Sequence, residues 1–158
     1  MGNPQHLTSK TEQRIAPLLP SAAEQRAERL SSGHIVIVCG GGDYSDRDFA
    51  FAALDRAHAH RAITLIVHGA GFDRSTGELL GADRWADEWA RGRHIAVEGH
   101  PPDRLTWGNA AEAMRNKQMA EAGAHGCIAL PGHSGTASMV AHARRCGIPV
   151  WRPAKGSS

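Results

Sequence analysis

Short aliphatic runs alternate with longer amphipathic stretches from residue 35 to residue 151. Residues 35–38, 63–67, 95–97, 126–130 and 148–151 read as five strands. Between them, residues 46–60, 82–91, 110–122 and 137–145 carry helical spacing, the last ending near Cys146. In the first of these helices Phe49, Ala53 and Ala57 recur at spacing four with Leu54 beside them; in the second, Trp85 and Trp89 stand one turn apart. Continuous apolar runs suit strands buried on both faces, and helices between successive strands imply right-handed crossovers. The pattern predicts an α/β sandwich with a mainly parallel five-stranded sheet. Residues 1–33 read as an N-terminal arm containing Pro4, Pro17 and Pro20. Within it, Ser21-Ala22-Ala23-Glu24 has the form of a capping box for a short helix to Leu30, stopped by Gly33. Residues 34–153 make the domain and 154–158 a loose tail.

In a doubly wound sheet, ligands bind beyond the carboxyl ends of the strands, near the point where strand order reverses. Three glycine-bearing segments follow predicted strand ends. They are Gly40-Gly41-Gly42-Asp43-Tyr44, His68-Gly69-Ala70-Gly71 and Pro131-Gly132-His133-Ser134-Gly135-Thr136. The last joins a strand to a helix, with Thr136 expected as the N-cap. Glycines let a backbone approach a phosphate, and the N–H groups of the first helical turn point at it. Two such loops predict one composite site for a nucleotide or sugar phosphate.

The same loops exclude other chemistries. A dinucleotide fingerprint needs glycine where Ser45 stands, and the second strand ends in Val67-His68-Gly69 without the acid that holds a ribose. The chain has no GxxxxGK[ST] P-loop. A nucleophile elbow needs glycine at position 136, which is Thr136, so Ser134 reads as a phosphate donor or turn residue. His58-Ala59-His60 lies near a helix C-terminus without partners, and neither a metal nor a cofactor is expected.

Length and composition narrow the classes further. The 158 residues suit one domain. A formal charge of +2, the lack of a Lys/Arg run and an aromatic content of 5% disfavour a nucleic-acid partner. Cys39, Cys127 and Cys146 lack metal spacing and fit free thiols in a reducing compartment, Cys39 and Cys127 as small core residues. No apolar stretch approaches the about 18 residues of a membrane span, and the N-terminus lacks a signal-peptide core. The expectation is a cytoplasmic protein without a membrane partner.

The ordered motifs Cys39-Gly40-Gly41-Gly42-Asp43-Tyr44-Ser45-Asp46, His68-Gly69-Ala70, Gly81-Ala82-Asp83-Arg84-Trp85, Arg115-Asn116-Lys117-Gln118-Met119 and Pro131-Gly132-His133-Ser134-Gly135-Thr136 resemble the YspA-like group of the SLOG superfamily. The likeness spans about residues 35–151. It implies a Rossmann-like three-layer fold and a nucleotide or nucleotide-derived ligand, with a sensor role in view. The superfamily includes the Lonely Guy phosphoribohydrolases and the DNA-processing protein DprA. Lonely Guy enzymes carry PGGxGTxxE and an upstream arginine. Pro131, Gly132, Gly135 and Thr136 match, His133 replaces a glycine, and the glutamate falls on Met139. Arg115 resembles the upstream arginine, and Asn116 stands beside it to bond a ribose or base. The alternative to binding alone is cleavage of the N-glycosidic bond of a nucleoside 5′-monophosphate, with Asp83, His68 or Asp43 replacing the missing glutamate. Resemblance to Lonely Guy dimers, together with Trp85 and Trp89 on one helix, gives a homodimer as the expected assembly.

Several residues keep two readings. Asp83 either contacts a ribose or caps its helix, and His68 is either a ligand contact or a structural histidine. Asp43 and Tyr44 serve either the ligand or the turn. Trp85 and Trp89 serve the core, a dimer or base stacking, and Trp107 lies in a loop able to reach over the site. The group usually joins His-Gly to Gly-Ala-Asp by a short turn; here residues 72–80 intervene as a specificity loop or a tolerated insertion.

Overall fold

Ser21 caps the first described helix. The computed structural model describes residues 19–155, so residues 1–18 of the expected arm and 156–158 of the expected tail lie outside the described residues. Ser21 Oγ accepts from the Glu24 N–H at 3.1 Å and a Glu24 carboxylate oxygen accepts from the Ser21 N–H at 3.2 Å, completing the capping box. Helix α1, Ala22–Ser32, lies on the surface, held by Arg26, which pairs with Glu98 at 2.9 Å and donates to the Gly123 carbonyl.

The chain then runs β1 (Ile35–Cys39), α2 (Arg47–His60), β2 (Leu65–His68), α3 (Gly81–Gly92), β3 (Ala96–Gly99) and the short α4 (Arg104–Trp107). It continues through α5 (Ala111–Glu121), β4 (Gly126–Ala129), α6 (Ser134–Arg145) and β5 (Val150–Trp151). The strand order is β3-β2-β1-β4-β5 and every pairing is parallel. Because strand side chains alternate, Val36, Val38 and Ile66 face α2 and α3, while Ile35, Ile37, Leu65 and Val67 face α5 and α6. The result is a Rossmann-like three-layer sandwich. No described helix is long and apolar enough to cross a membrane.

Two strands start later than their apolar runs. Ile63 is buried, but its N–H goes to His58 Nδ1 at 2.9 Å, so the β2 ladder begins at Leu65. Ile148 likewise fills the core ahead of β5, where Pro149 supplies a carbonyl to Cys127 N at 2.9 Å but has no N–H to give.

Trp89 is fully buried against α2, with its indole N–H donated to Asp55 at 2.9 Å. Trp85 is half-buried, and its N–H is donated to the Tyr44 carbonyl at 2.9 Å. Both indoles of the stripe thus serve the α2–α3 face. Truncating the larger buried ring leaves a cavity that neighbours fill only in part, so Trp89→Ala should lose about 3–5 kcal/mol. Urea unfolding checks this against wild type.

Candidate functional site

The order of the sheet reverses at β1. β2 and β3 lie to one side of it and β4 and β5 to the other. The loop after β1 leads to α2 on one face, and the loop after β4 leads to α6 on the other, so a crevice opens between them. Backbone bonds fix its walls. The Gly41 N–H donates to Pro131 O at 2.9 Å, and Gly41 O accepts from the N–H groups of Tyr44 and Ala82, each at 3.1 Å. The start of α3 therefore sits directly under the first loop. A Cβ at Gly81, whose φ is +53°, would lie 2.1 Å from Gly41 O. One at Gly132 would lie 2.0 Å from Thr136 Oγ1 and 2.7 Å from Gly41 N. Neither position accepts a side chain.

Helix α6 begins at Ser134, two residues before the expected cap. Thr136 is a buried residue of the first turn, its hydroxyl tucked under Gly132, and the N-cap position is His133 without a side-chain cap bond. The first backbone bond of the turn runs from Ala137 N to His133 O at 3.0 Å. The N–H groups of Ser134, Gly135 and Thr136 have no acceptor among the described residues, as the N-terminus of a helix with no capping side chain requires. The space over Gly135 is open, with nothing within 4 Å of a Cβ built there.

Arg115 reaches this crevice from α5. Its Nε donates to Asn116 Oδ1 at 2.8 Å, and its Nη1 donates to the carbonyls of Gly69 and, at 3.3 Å, His100. Its Nη2 donates to none of the described residues. Burial lowers its pKa from the usual arginine value, against the opposing pull of Asp83 and Glu112. Asn116 is 4% exposed, and its amide nitrogen reaches Gly135 O and Ser138 Oγ, both at 3.3 Å. Its side chain aligns Arg115 and ties α5 to α6.

His68 is also inside the wall. The ring is 2% exposed; Nδ1 accepts the Ala70 N–H at 3.0 Å, so Nε2 carries the proton shared with Asp87 at 2.9 Å. It holds Ala70 in the left-handed region, φ +51°, and so aims the Gly69 carbonyl at Arg115. Of its two readings, the structure gives the structural histidine. Burial pushes the Asp87 carboxyl up, but hydrogen bonds from Arg91 and His68 outweigh it and leave the group below its usual range. Asp83 does face the cleft, accepting the Gly71 N–H at 2.9 Å. Burial raises its pKa above the usual carboxylate value, and the Gly71 N–H, His68 and Arg115 only partly oppose that.

The cleft encloses about 740 Å³. Gly40, Gly41, Gly42, Gly69, Asp83, Arg115, Asn116, His133, Gly135 and Thr136 line it, over an apolar floor of Val38, Met119 and Met139. Asp43 and His133 meet at 3.4 Å on its exposed rim. Tyr44 packs beside α3, its hydroxyl buried without a hydrogen-bond partner among the described residues. Trp107 does not line the cleft, whereas Leu105 on the same short helix does. Phe72, Arg74 and Leu80, from the 72–80 segment read as a specificity loop or a tolerated insertion, also line it, as do Arg104, Leu105 and Glu112, which the sequence reading did not single out. For Arg74 a signal existed: Asp73-Arg74-Ser75-Thr76-Gly77 is turn chemistry that orders the loop.

The family model for YAcAr, the YspA, cpYpsA-related SLOG family, matches residues 34–107. That stretch holds the first glycine loop, His68 to Gly71 and Asp83; Arg115 and the second loop lie beyond it. The Gene 61 protein of Mycobacterium phage D29 is 34% identical over 123 residues, covering 73% of this chain and 92% of its own length. The chain belongs to the YspA, cpYpsA-related SLOG family. Membership puts it among nucleotide-related binding or processing domains. No solved structure matches this YspA-like chain.

Asp83 generates a pH prediction. Its folded pKa is raised, so as pH climbs above about 4 the unfolded chain releases this proton first and stability falls through the folded value. Asp83→Asn retains an acceptor for the Gly71 N–H and removes that fall. Thermal unfolding at pH 7 should give a higher Tm than wild type; a lower one would show that Arg115 stabilises the carboxylate more than burial costs it.

Proposed function

We propose that the cleft binds a nucleoside 5′-phosphate or a closely related nucleotide-derived small molecule, as a binding or sensing domain rather than an efficient hydrolase. One observation carries this reading: Gly135 and Thr136, whose N–H groups have no acceptor among the described residues, line the same cleft as Arg115. A helix N-terminus favours a dianion, and a planar fork adds charge-assisted bonds to its oxygens. Met139 argues against turnover. It is 1% exposed on the cleft floor, where the hydrolases it resembles carry a glutamate, and a thioether neither transfers a proton nor bears charge.

A second reading, cleavage of the N-glycosidic bond, is favoured by Asp83. A buried carboxyl whose pKa is raised is suited to donate a proton to a leaving base. In that case Asp83→Asn abolishes release of base while leaving binding in place.

Calorimetry with AMP, GMP, CMP and UMP tests the first reading. Arg115→Lys keeps the charge but loses the fork, and should weaken the best ligand by about 1.5–3 kcal/mol. Gly135→Ala should keep or raise stability, since alanine favours a helix, yet weaken binding by adding a methyl to the cleft lining. Unchanged affinity in both variants would overturn the assignment. Base release by wild type at ~1 s⁻¹ or faster, the ordinary enzyme range, would replace it with the hydrolase reading.

A further inference from the structure

The mouth of the cleft carries apolar side chains that the protein itself does not cover. Phe72 is 49% exposed, Leu80 is 38% exposed and Leu105 is fully exposed, and all three line the same cleft. They come from two separate segments. Phe72 and Leu80 flank the hairpin of residues 72–80; Leu105 stands on α4. Leaving three large apolar groups in water around one opening forgoes burial that any of them would gain by turning inward.

Neither segment is loose. Phe72 bridges to Leu79, the Leu80 N–H reaches Gly71 O at 2.8 Å, and the Asp73 N–H reaches Glu78 O at 2.8 Å. Asp73 Oδ1 accepts from the Ser75 N–H at 2.7 Å and the Thr76 N–H at 3.2 Å. On the other lip, Asp103 accepts from the Thr106 N–H at 3.1 Å, and Gly108 at φ +54° closes the turn. Each lip is therefore a rigid platform stapled by an aspartate. Such platforms present a surface to a ligand at little ordering cost.

We propose that Phe72 and Leu105 clamp the planar base of a bound nucleotide, with Leu80 completing the apolar mouth. The clamp rests on the phosphate reading above. It adds that affinity and selectivity among ligands reside in the 72–80 hairpin and α4, which supply the exposed apolar part of the cleft lining. A sugar phosphate meets the polar lining and leaves the apolar mouth wet. A nucleoside 5′-phosphate fills both, and its base covers the exposed apolar groups and stacks on the phenyl ring.

Calorimetry on the full chain with ribose 5-phosphate and with AMP, GMP, CMP and UMP separates the two contributions. The best nucleotide should bind wild type at least tenfold more tightly than ribose 5-phosphate. Phe72→Ala and Leu105→Ala should each weaken that nucleotide about tenfold and leave ribose 5-phosphate unchanged. Both side chains are exposed, so both variants keep the fold, which thermal unfolding verifies. Ribose 5-phosphate binding with no gain from any base, or nucleotide affinity indifferent to both substitutions, overturns the clamp and leaves the phosphate reading standing. Binding of neither class to wild type overturns both.

Discussion

The hydrogen bond from the Gly41 N–H to Pro131 O, 2.9 Å long, joins two loops that depart toward opposite faces of the sheet. Without it the crevice at the reversal of strand order would have walls but no fixed width. The bond requires backbones in close contact, and that requirement explains the glycines around it. Gly132 has no room for a Cβ because Gly41 N and Thr136 lie beneath it, and Gly81 has none because Gly41 O does. A single backbone bond is worth only about 1 kcal/mol net. Its importance is geometric, since it sets the position of the free N–H groups of α6 relative to α3 and Asp83.

Arg115 depends on a second set of contacts that reach farther from the cleft. Asp87 holds His68, His68 holds the turn at Ala70, the turn presents the Gly69 carbonyl, and that carbonyl anchors one arm of the guanidinium. Asn116 anchors the Nε and is itself held by α6. A half-buried guanidinium with three acceptors keeps its charge without needing a carboxylate in direct contact. The remaining nitrogen is thereby available to an anion from solution, and its direction is fixed before the anion arrives. Three of these supporting groups are backbone carbonyls or amides, so the arrangement does not announce itself as a motif.

That difference accounts for what the sequence revealed. The five strands, the helices between them and the glycine loops were readable because their signals are local: apolar runs, helical spacing and strand-to-helix turns. The capping box at Ser21 and Glu24 was readable for the same reason. The α6 start was misplaced by three residues because Thr136 is a good capping residue by type, whereas tertiary packing places its hydroxyl under Gly132 instead. His68 was open because polarity near a strand end says nothing about which way the side chain turns, and Asn116 was read toward a ligand because its place on a helix does not show what its amide meets. Their partners lie on α3 and α6, and only the folded chain brings them together. Leu105 was invisible because one exposed leucine has no pattern along the chain; its meaning comes from facing the same cleft as Phe72.

The floor of the cleft limits what chemistry the walls can perform. Val38, Met119 and Met139 are apolar residues lining the same cleft as Asp83, whose carboxyl is pushed above its usual range by burial. A glutamate in place of Met139 would put a second carboxyl against that floor. Each would then disfavour ionisation of the other, and both would compete for the charge of Arg115, the cation that a phosphate also needs. With methionine there, one costly carboxylate remains, the guanidinium faces the anion site, and the floor offers apolar contact to whatever sits above it. Under the binding reading proposed above, such a cleft would meet the charge of a ligand with Arg115 and its apolar part with the floor, and Met139 would supply no group to activate the bond between them.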